Sequence, residues 1–326
     1  MASGITHILL MKNLQNVIDE GELKLTLAAG RDFLQVGAVA PDLPYASIAD
    51  DDFFLTNQSE LADKFHYVKT NEIPLKALTE IKKIKNQLTG RELRSYFSFF
   101  LGYLSHVIAD GIIHPFVRDK VGNYHENQTA HRVLEMQLDV LFCYHLTLNS
   151  GAPLEFNNTN IHDELKNLDS DLYPEKNKVI GLFSSLIKEV HGDTYDTNLI
   201  LGWVRGLHRM FGAAEGVPKI YRGIPFINNF TFSDYNDLRN KYDDILALKT
   251  KKEGGENFAK KNHIHFFDDV VPHFYKRFLP VAQKAYDYIY ENGNMLTEND
   301  IAGIDLDTGR IIAQNNNLDL IPFYWS

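Results

Sequence analysis

The sequence predicts an all-α protein, a bundle of many helices. Three observations carry this. Apolar residues recur at three- and four-residue spacing along most of the 326 residues. Pro, Gly and Asn clusters fall between those segments rather than inside them. Hydrophobic residues make up 44%, enough to fill a sizeable core in one large domain or two closely joined ones.

The helical segments run near 5–17, 20–36, 73–88, 91–114, 127–148, 175–193, 196–213, 234–249 and 268–291. Thr89 or Gly90 opens a run of good helix formers, and Pro115 is expected to close that helix. Loops are expected at Pro41-Asp42-Leu43-Pro44, Asn157-Asn158-Thr159-Asn160 and Lys252-Glu253-Gly254-Gly255. Near the end, Asp305-Leu306-Asp307-Thr308-Gly309 is a turn signal between short apolar runs, which leaves room for a small C-terminal hairpin over 301–326. Composition changes near 150–160. Residues 1–150 therefore read as the catalytic part, and 151–326 as helices that complete the core and pocket.

Net charge is −10. An acidic surface repels phosphate backbones, so no stable nucleic-acid complex is expected. A small phosphodiester at a metal centre remains compatible, because local cations dominate the field there. The single cysteine, Cys143, excludes an intramolecular disulfide and fits a reducing compartment. Residues 1–10 carry no basic start, and the apolar stretch Ile8-Leu9-Leu10-Met11 ends at Lys12. No run reaches about 18 apolar residues. The sequence as written reads as cytoplasmic, with at most peripheral membrane contact; export by another route and the oligomeric state stay open.

The chemistry centres on Ser105-His106-Val107-Ile108-Ala109-Asp110-Gly111-Ile112-Ile113-His114-Pro115. Residues four apart in a helix drift by about 40°, so His106, Asp110 and His114 share one slowly turning stripe. Their neighbours Leu104, Val107, Ile108 and Ile112 are apolar. Three ionisable groups in such surroundings are costly unless compensated. A metal ion compensates all three at once, and imidazole nitrogen and carboxylate oxygen both suit zinc. The next helix adds His131 and Glu135, again four apart and flanked by Val133, Leu134 and Leu138. Two such helices can hold two or more ions between them, a spacing that suits phosphoester displacement.

Rival motifs fit less well. Neither helix carries the Glu-x-x-His pairs of a di-iron bundle. The His-Glu-x-x-His of metalloproteases and the Gly-rich phosphate loops are absent. Cys143 has no evident activating partner. His125 reads as a surface histidine between the ligand helices, although substrate contact stays open for it. His145 reads as structural. His263, His265 and His273 sit near a helix start in the second half. Trp203, Phe211 and the aromatic stripe of 274–290 read as core.

Five blocks in order resemble the zinc-dependent phospholipase C family, which includes bacterial phospholipase C and the catalytic domain of glycosylphosphatidylinositol-specific phospholipase D. They are Ser3-Gly4-Ile5-Thr6-His7, Gly37-Ala38-Val39-Ala40-Pro41-Asp42, Lys64-Phe65-His66-Tyr67, the 106–114 stripe, and His131 to Glu135. The resemblance covers roughly 3–150. It implies a multi-helix phospholipase C or zinc-nuclease-like bundle that hydrolyses a phospholipid or other small phosphodiester with two or three zinc ions. His66, His106 and Asp110 would hold one ion. Asp110 would bridge to a second, held also by His7. His114, His131 and Glu135 would hold a third. Asp42 would be a ligand or the general base that aligns water on phosphorus.

Three departures stand out. His7 is preceded by six residues, whereas secreted relatives often use a free α-amino group as a ligand; the His7 ion is the one this leaves open. The four-residue step from Asp110 to His114 is closer to the phospholipase D type. No tail resembling a lipid-binding β-sandwich follows. A single-strand nuclease or nucleotidase, or a non-catalytic helical protein stapled by zinc, are the alternative readings.

Overall fold

Thr89 starts helix α6 (Gly90–Val121) with a capping box. Its hydroxyl accepts the Glu92 amide at 3.2 Å, and the Glu92 carboxylate accepts the Thr89 amide at 2.8 Å. From Ser95 to Val117 every residue of α6 is buried. A helix covered on all sides must lie at the centre of its fold. Among the described residues α6 is also the one helix long and apolar enough to cross a membrane, but its apolar stretch is wholly covered by protein. The computed structural model describes residues 4–49, 58–150, 161–217, 231–249, 263–312 and 324–325.

The other helices wrap this axis. They are α1 (Gly4–Val17), α2 (Glu22–Ala29), α3 (Arg31–Gly37), a 3-10 helix (Ala40–Ala49), α4 (Ser59–Tyr67) and α5 (Glu72–Ile84). After α6 come α7 (Tyr124–Ser150), α8 (Asp163–Asp169), α9 (Lys176–His191), α10 (Thr197–Gly216) and α11 (Val271–Tyr286). α3 packs on α6, α10 packs on the 3-10 helix, and α5 packs on both α6 and α9. The α3–α6 crossing is unusually close. A Cβ on Gly37 would lie 2.0 Å from the Phe99 carbonyl, and one on Gly102 would lie 2.2 Å from the Leu34 carbonyl, so both positions need glycine.

Pro115 does not close α6, which runs on to Val121. Proline withholds an amide from the carbonyl four residues back, here Gly111. The C-terminal segment covers that weak point. Gly309, at φ +68°, comes so close that a Cβ on it would lie 2.4 Å from the Gly111 carbonyl. The Trp325 indole N–H donates to the Ile112 carbonyl at 2.8 Å. Packing thus compensates the break that local chemistry predicts.

Two other expectations are corrected. The 20–36 segment divides at Gly30 into α2 and α3. The 234–249 segment forms short helical turns over Tyr235–Leu238 and Tyr242–Leu246, then a strand. That strand, β1 (Ala247–Lys249), pairs antiparallel with β2 (His263–His265). Strands of three residues are too short to show a period of two. The expected C-terminal turn exists: the Asp305 amide donates to the Arg310 carbonyl at 2.8 Å, flanked by an antiparallel bridge between Ile304 and Ile311. The loops at 157–160 and 252–255, and residues 313–323, lie outside the described residues.

Candidate metal centre

Five elements bring the candidate ligands together. α1 carries His7, the 3-10 helix Asp42, α4 His66, and α6 His106, Asp110 and His114; α7 brings His131 and Glu135 alongside. The Thr6 hydroxyl donates to Asp139 on α7 at 2.6 Å, which fixes the rotation of α1 and the placement of His7. All eight residues are buried, and His106, Asp110 and His131 are 0% exposed.

The Asp110 carboxylate stands among four imidazoles. Its Oδ1 lies 2.9 Å from His7 Nε2 and 3.4 Å from His114 Nε2. Its Oδ2 lies 3.0 Å from His106 Nε2 and 3.5 Å from His66 Nε2. Asp42 Oδ1 is 3.3 Å from His66 Nε2. The His7 and His106 rings stack at 4.1 Å. Among the described residues, one ligand atom from each of His66, His106 and Asp110 lies within 4.8 Å of the others, and the same holds for His7, Asp42 and His106. The remaining residues are looser: His114 Nδ1 is 3.9 Å from Glu135 Oε1.

Backbone carbonyls set the tautomers. His66 Nδ1 faces the Ala62 carbonyl at 2.7 Å, and His106 Nδ1 faces the Ala38 carbonyl at 2.8 Å. His131 Nε2 faces the Gly122 carbonyl at 2.6 Å. Each of these nitrogens carries the proton and donates it, which leaves a lone pair on the other nitrogen, the arrangement seen in metal-ligating histidines. The consequence is sharp at one place. His66 Nε2 and His106 Nε2 lie 3.3 Å apart, lone pair to lone pair, with carboxylate oxygens of Asp42 and Asp110 beside them. Lone pairs facing one another repel unless a cation or an added proton lies between them. Among the described residues, His7 Nδ1, His131 Nδ1, Asp42 Oδ1 and both Asp110 oxygens are buried without a hydrogen-bond partner. Imidazole and carboxylate donors in this array fit zinc.

The same geometry moves the ionisation of each group. Burial would raise Asp110, but His106, His114 and His7 hold it well below the usual carboxylate range. Burial likewise works against Asp42, which the neighbouring imidazoles of His106 and His66 bring below its ordinary value. Burial opposes the charged form of His114, yet Asp110 beside it lifts that imidazole to about 10. Burial first, with the charge of His114, pulls His131 down to about 4; burial first, with the charges of Asp110 and Asp42, pushes Glu135 up to about 7. Carboxylates and imidazoles that perturb one another this strongly inside a core are a recognised mark of a functional site.

The model of the zinc-dependent phospholipase C family matches residues 6–195, more than half of the chain and all eight residues just described. The chain belongs to the zinc-dependent phospholipase C family. Family membership makes it, at that level, a zinc-dependent hydrolase of phosphodiesters with a helical fold. Comparison with curated proteins and with solved structures gives no match.

Sequence reasoning missed part of the surroundings. Tyr45 donates its hydroxyl to Asp63 at 2.7 Å and sets its ring 5.8 Å from His66. The Tyr67 ring is 6.4 Å from His66, and the Tyr124 ring is 5.3 Å from His131. Tyr67 adjoins a candidate ligand in sequence, which was the available signal. Asp307, from the C-terminal turn, places Oδ1 3.8 Å from His114 Nδ1, although it lies outside the family match. The remaining histidines stand elsewhere. His145 stacks on Phe267 at 4.0 Å, His263 and His265 lie in β2, and His273 meets Trp325 edge-on at 5.5 Å. His125 sits at the head of α7 and lines a shallow hollow with Asn127 and Val133.

Proposed function

We propose that this protein hydrolyses a phospholipid by phospholipase C-type cleavage, at two or three zinc ions held by His7, Asp42, His66, His106, Asp110, His114, His131 and Glu135. The observation that carries the reading is the His66–His106 contact, two imidazole lone pairs 3.3 Å apart between carboxylates. Such a pair is stable where a dication sits between the donors.

Bound zinc supplies Lewis acidity, acidifying water and neutralising charge that builds on phosphoryl oxygens. The chain's own residues do the rest. His66, His106 and His131 are held in one tautomer by the carbonyls of Ala62, Ala38 and Gly122, so little reorganisation is needed to use them. Asp110 reaches both sides of the cluster through its two oxygens, a bridging position. Asp42 stays ionised across the neutral range. A proton acceptor works best with a pKa near the working pH, so this depression favours Asp42 as a ligand and water-orienting group over a general base. Hydrolysis joins a water oxygen to phosphorus and breaks the bond to the glycerol oxygen. That oxygen leaves with a proton, and the phosphorylated head group keeps the new oxygen.

Protein purified without chelator should contain two or three zinc ions per chain. It should cleave phosphatidylcholine faster than a chromogenic phosphodiester or single-stranded DNA when the three are assayed side by side. His106→Ala should lose zinc and activity together. Preferred cleavage of single-stranded DNA would replace this reading with a nuclease, and zinc bound without any hydrolysis would leave a stapled structural protein.

A further inference from the structure

The turn that carries Asp307 is largely buried and closely tied. The Asp305 carboxylate accepts the Thr308 amide at 2.8 Å and the Thr308 hydroxyl at 2.9 Å. The Gly309 amide closes the turn on the Asp305 carbonyl at 2.8 Å. Two anchors tie it to the metal centre itself. The Leu306 amide donates to the His66 carbonyl at 3.0 Å. Gly309 abuts Gly111, which directly follows Asp110 on α6. Asp307 and Thr308 lie between these anchors.

The Asp307 side chain is only 11% exposed, and among the described residues its buried Oδ1 has no hydrogen-bond partner. That oxygen stands 3.8 Å from His114 Nδ1, on the same nitrogen that faces Glu135 Oε1 at 3.9 Å. Both separations are too long for hydrogen bonds. They are slightly wider than the roughly 3.4 Å between two donors on one tetrahedral zinc with bonds of about 2.0–2.1 Å. His131 supplies an independent sign. It is fully buried and bound to the Gly122 carbonyl through Nε2. Its Nδ1 has no hydrogen-bond partner among the described residues, and the charges of Asp307 and His114 both act on the ring.

We propose that Asp307 is the fourth protein ligand of the cation site formed by His114, His131 and Glu135. The proposal rests on the zinc reading above and extends it beyond the stretch that the family match covers. Two neutral imidazoles and two carboxylates balance a dication in charge. Four protein donors also close a tetrahedral site, whereas a catalytic zinc keeps one position open. The third ion therefore locks the C-terminal turn onto α6 and α7, and water activation belongs to the ions near Asp110, His66 and His106.

The test compares the full-length protein with Asp307→Asn and, as a control, Asp300→Asn, whose carboxylate pairs with Lys284 away from the site. Each is loaded with zinc and titrated with a chromophoric chelator. Asp307→Asn should bind one ion at least about tenfold more weakly than wild type, the scale on which even outer partners of a metal site act. The other ions should be unchanged, and Asp300→Asn should match wild type. The metal-free proteins are then melted. If Asp307 serves zinc, adding zinc raises the melting temperature of Asp307→Asn less than that of wild type, because one site is filled more weakly. Equal zinc affinity at every site, or an equal rise in melting temperature on adding zinc, overturns the assignment. A wild-type protein that takes up no zinc at all overturns the zinc reading as well.

Discussion

Gly102 on α6 faces the Leu34 carbonyl on α3 with no room for a side chain between them: an added Cβ would sit 2.2 Å from that oxygen and 2.7 Å from the Ala38 nitrogen. The two helices must cross this closely because the carbonyl of Ala38, just past α3, fixes the ring of His106, one turn along α6. A packing constraint and a metal ligand are therefore linked. Gly102→Ala should cost about 3 kcal/mol in thermal or denaturant unfolding, the upper end of overpacking penalties. It should also weaken zinc binding, because the His106 ring loses its anchor. Gly212→Ala on α10 is the contrast, since a Cβ there meets open space. It should be neutral or stabilise by up to about 1 kcal/mol through helix propensity. Equal melting temperatures for Gly102→Ala and wild type would show that the crossing can relax.

Zinc binding should release protons. Without an ion, His114 is raised to about 10 and Glu135 to about 7. Both must be deprotonated to bind metal. At pH 7 His114 therefore gives up a full proton and Glu135 about half of one, roughly one to two protons per chain with contributions from other ligands set aside. The sign follows: apparent zinc affinity rises with pH through the neutral range and falls in acid. Calorimetric titration in two buffers of different ionisation enthalpy measures this directly. Identical heats in the two buffers would rule out the release.

The site was more legible in the sequence than its frame. The four-residue steps among His106, Asp110 and His114, and between His131 and Glu135, translate directly into a shared helical face, because that spacing depends only on helix geometry. The helices themselves were readable for the same reason, apart from α4 and α8, which lie outside the periodic segments, and the 3-10 helix, whose Pro41-Asp42-Leu43-Pro44 reads as a loop. Three features were not readable. Pro115 looked terminal because nothing local shows that Gly309 and Trp325 arrive from the far end of the chain to cover the weakened turn. Asp307 looked like an ordinary turn residue, since its role depends on the Leu306–His66 hydrogen bond. The glycines at 37 and 102 carried no sign that they face other backbones rather than solvent.

One carboxylate on α6 holds the backbone amides of both Tyr324 and Trp325. Asp119 Oδ1 accepts the Tyr324 amide at 3.1 Å, and Oδ2 accepts the Trp325 amide at 2.6 Å. Trp325 is fully buried. Asp119→Ala would leave two buried donors unsatisfied, at about 1–3 kcal/mol each. The variant should unfold with a stability loss of roughly 2–5 kcal/mol, and limited proteolysis should cut its C-terminal end sooner than in wild type. A change under about 1 kcal/mol, typical of an exposed side chain, would mean that water replaces the carboxylate at no cost.

His191 gives a pH dependence of stability that does not pass through the metal. It ends α9 and packs its ring 5.4 Å from Phe65, the neighbour of His66. Burial first, then the charge of Lys64, depresses its pKa to about 4, from an ordinary value near 6.5. A histidine depressed in the folded state favours folding only while it is neutral. Its contribution is therefore fully present above about pH 6.5 and is lost as pH falls through 6.5 toward 4. The His191→Gln variant cannot take up the proton. With chelator present throughout, so that zinc release does not interfere, wild type should lose stability over this range more steeply than the variant. The difference in slope cannot exceed one proton, about 1.4 kcal/mol per pH unit, and it should be smaller because the ring is partly exposed. Parallel stability curves for the two proteins between pH 4 and 6.5 would show that the ring accepts its proton in place, without strain on the Phe65 contact.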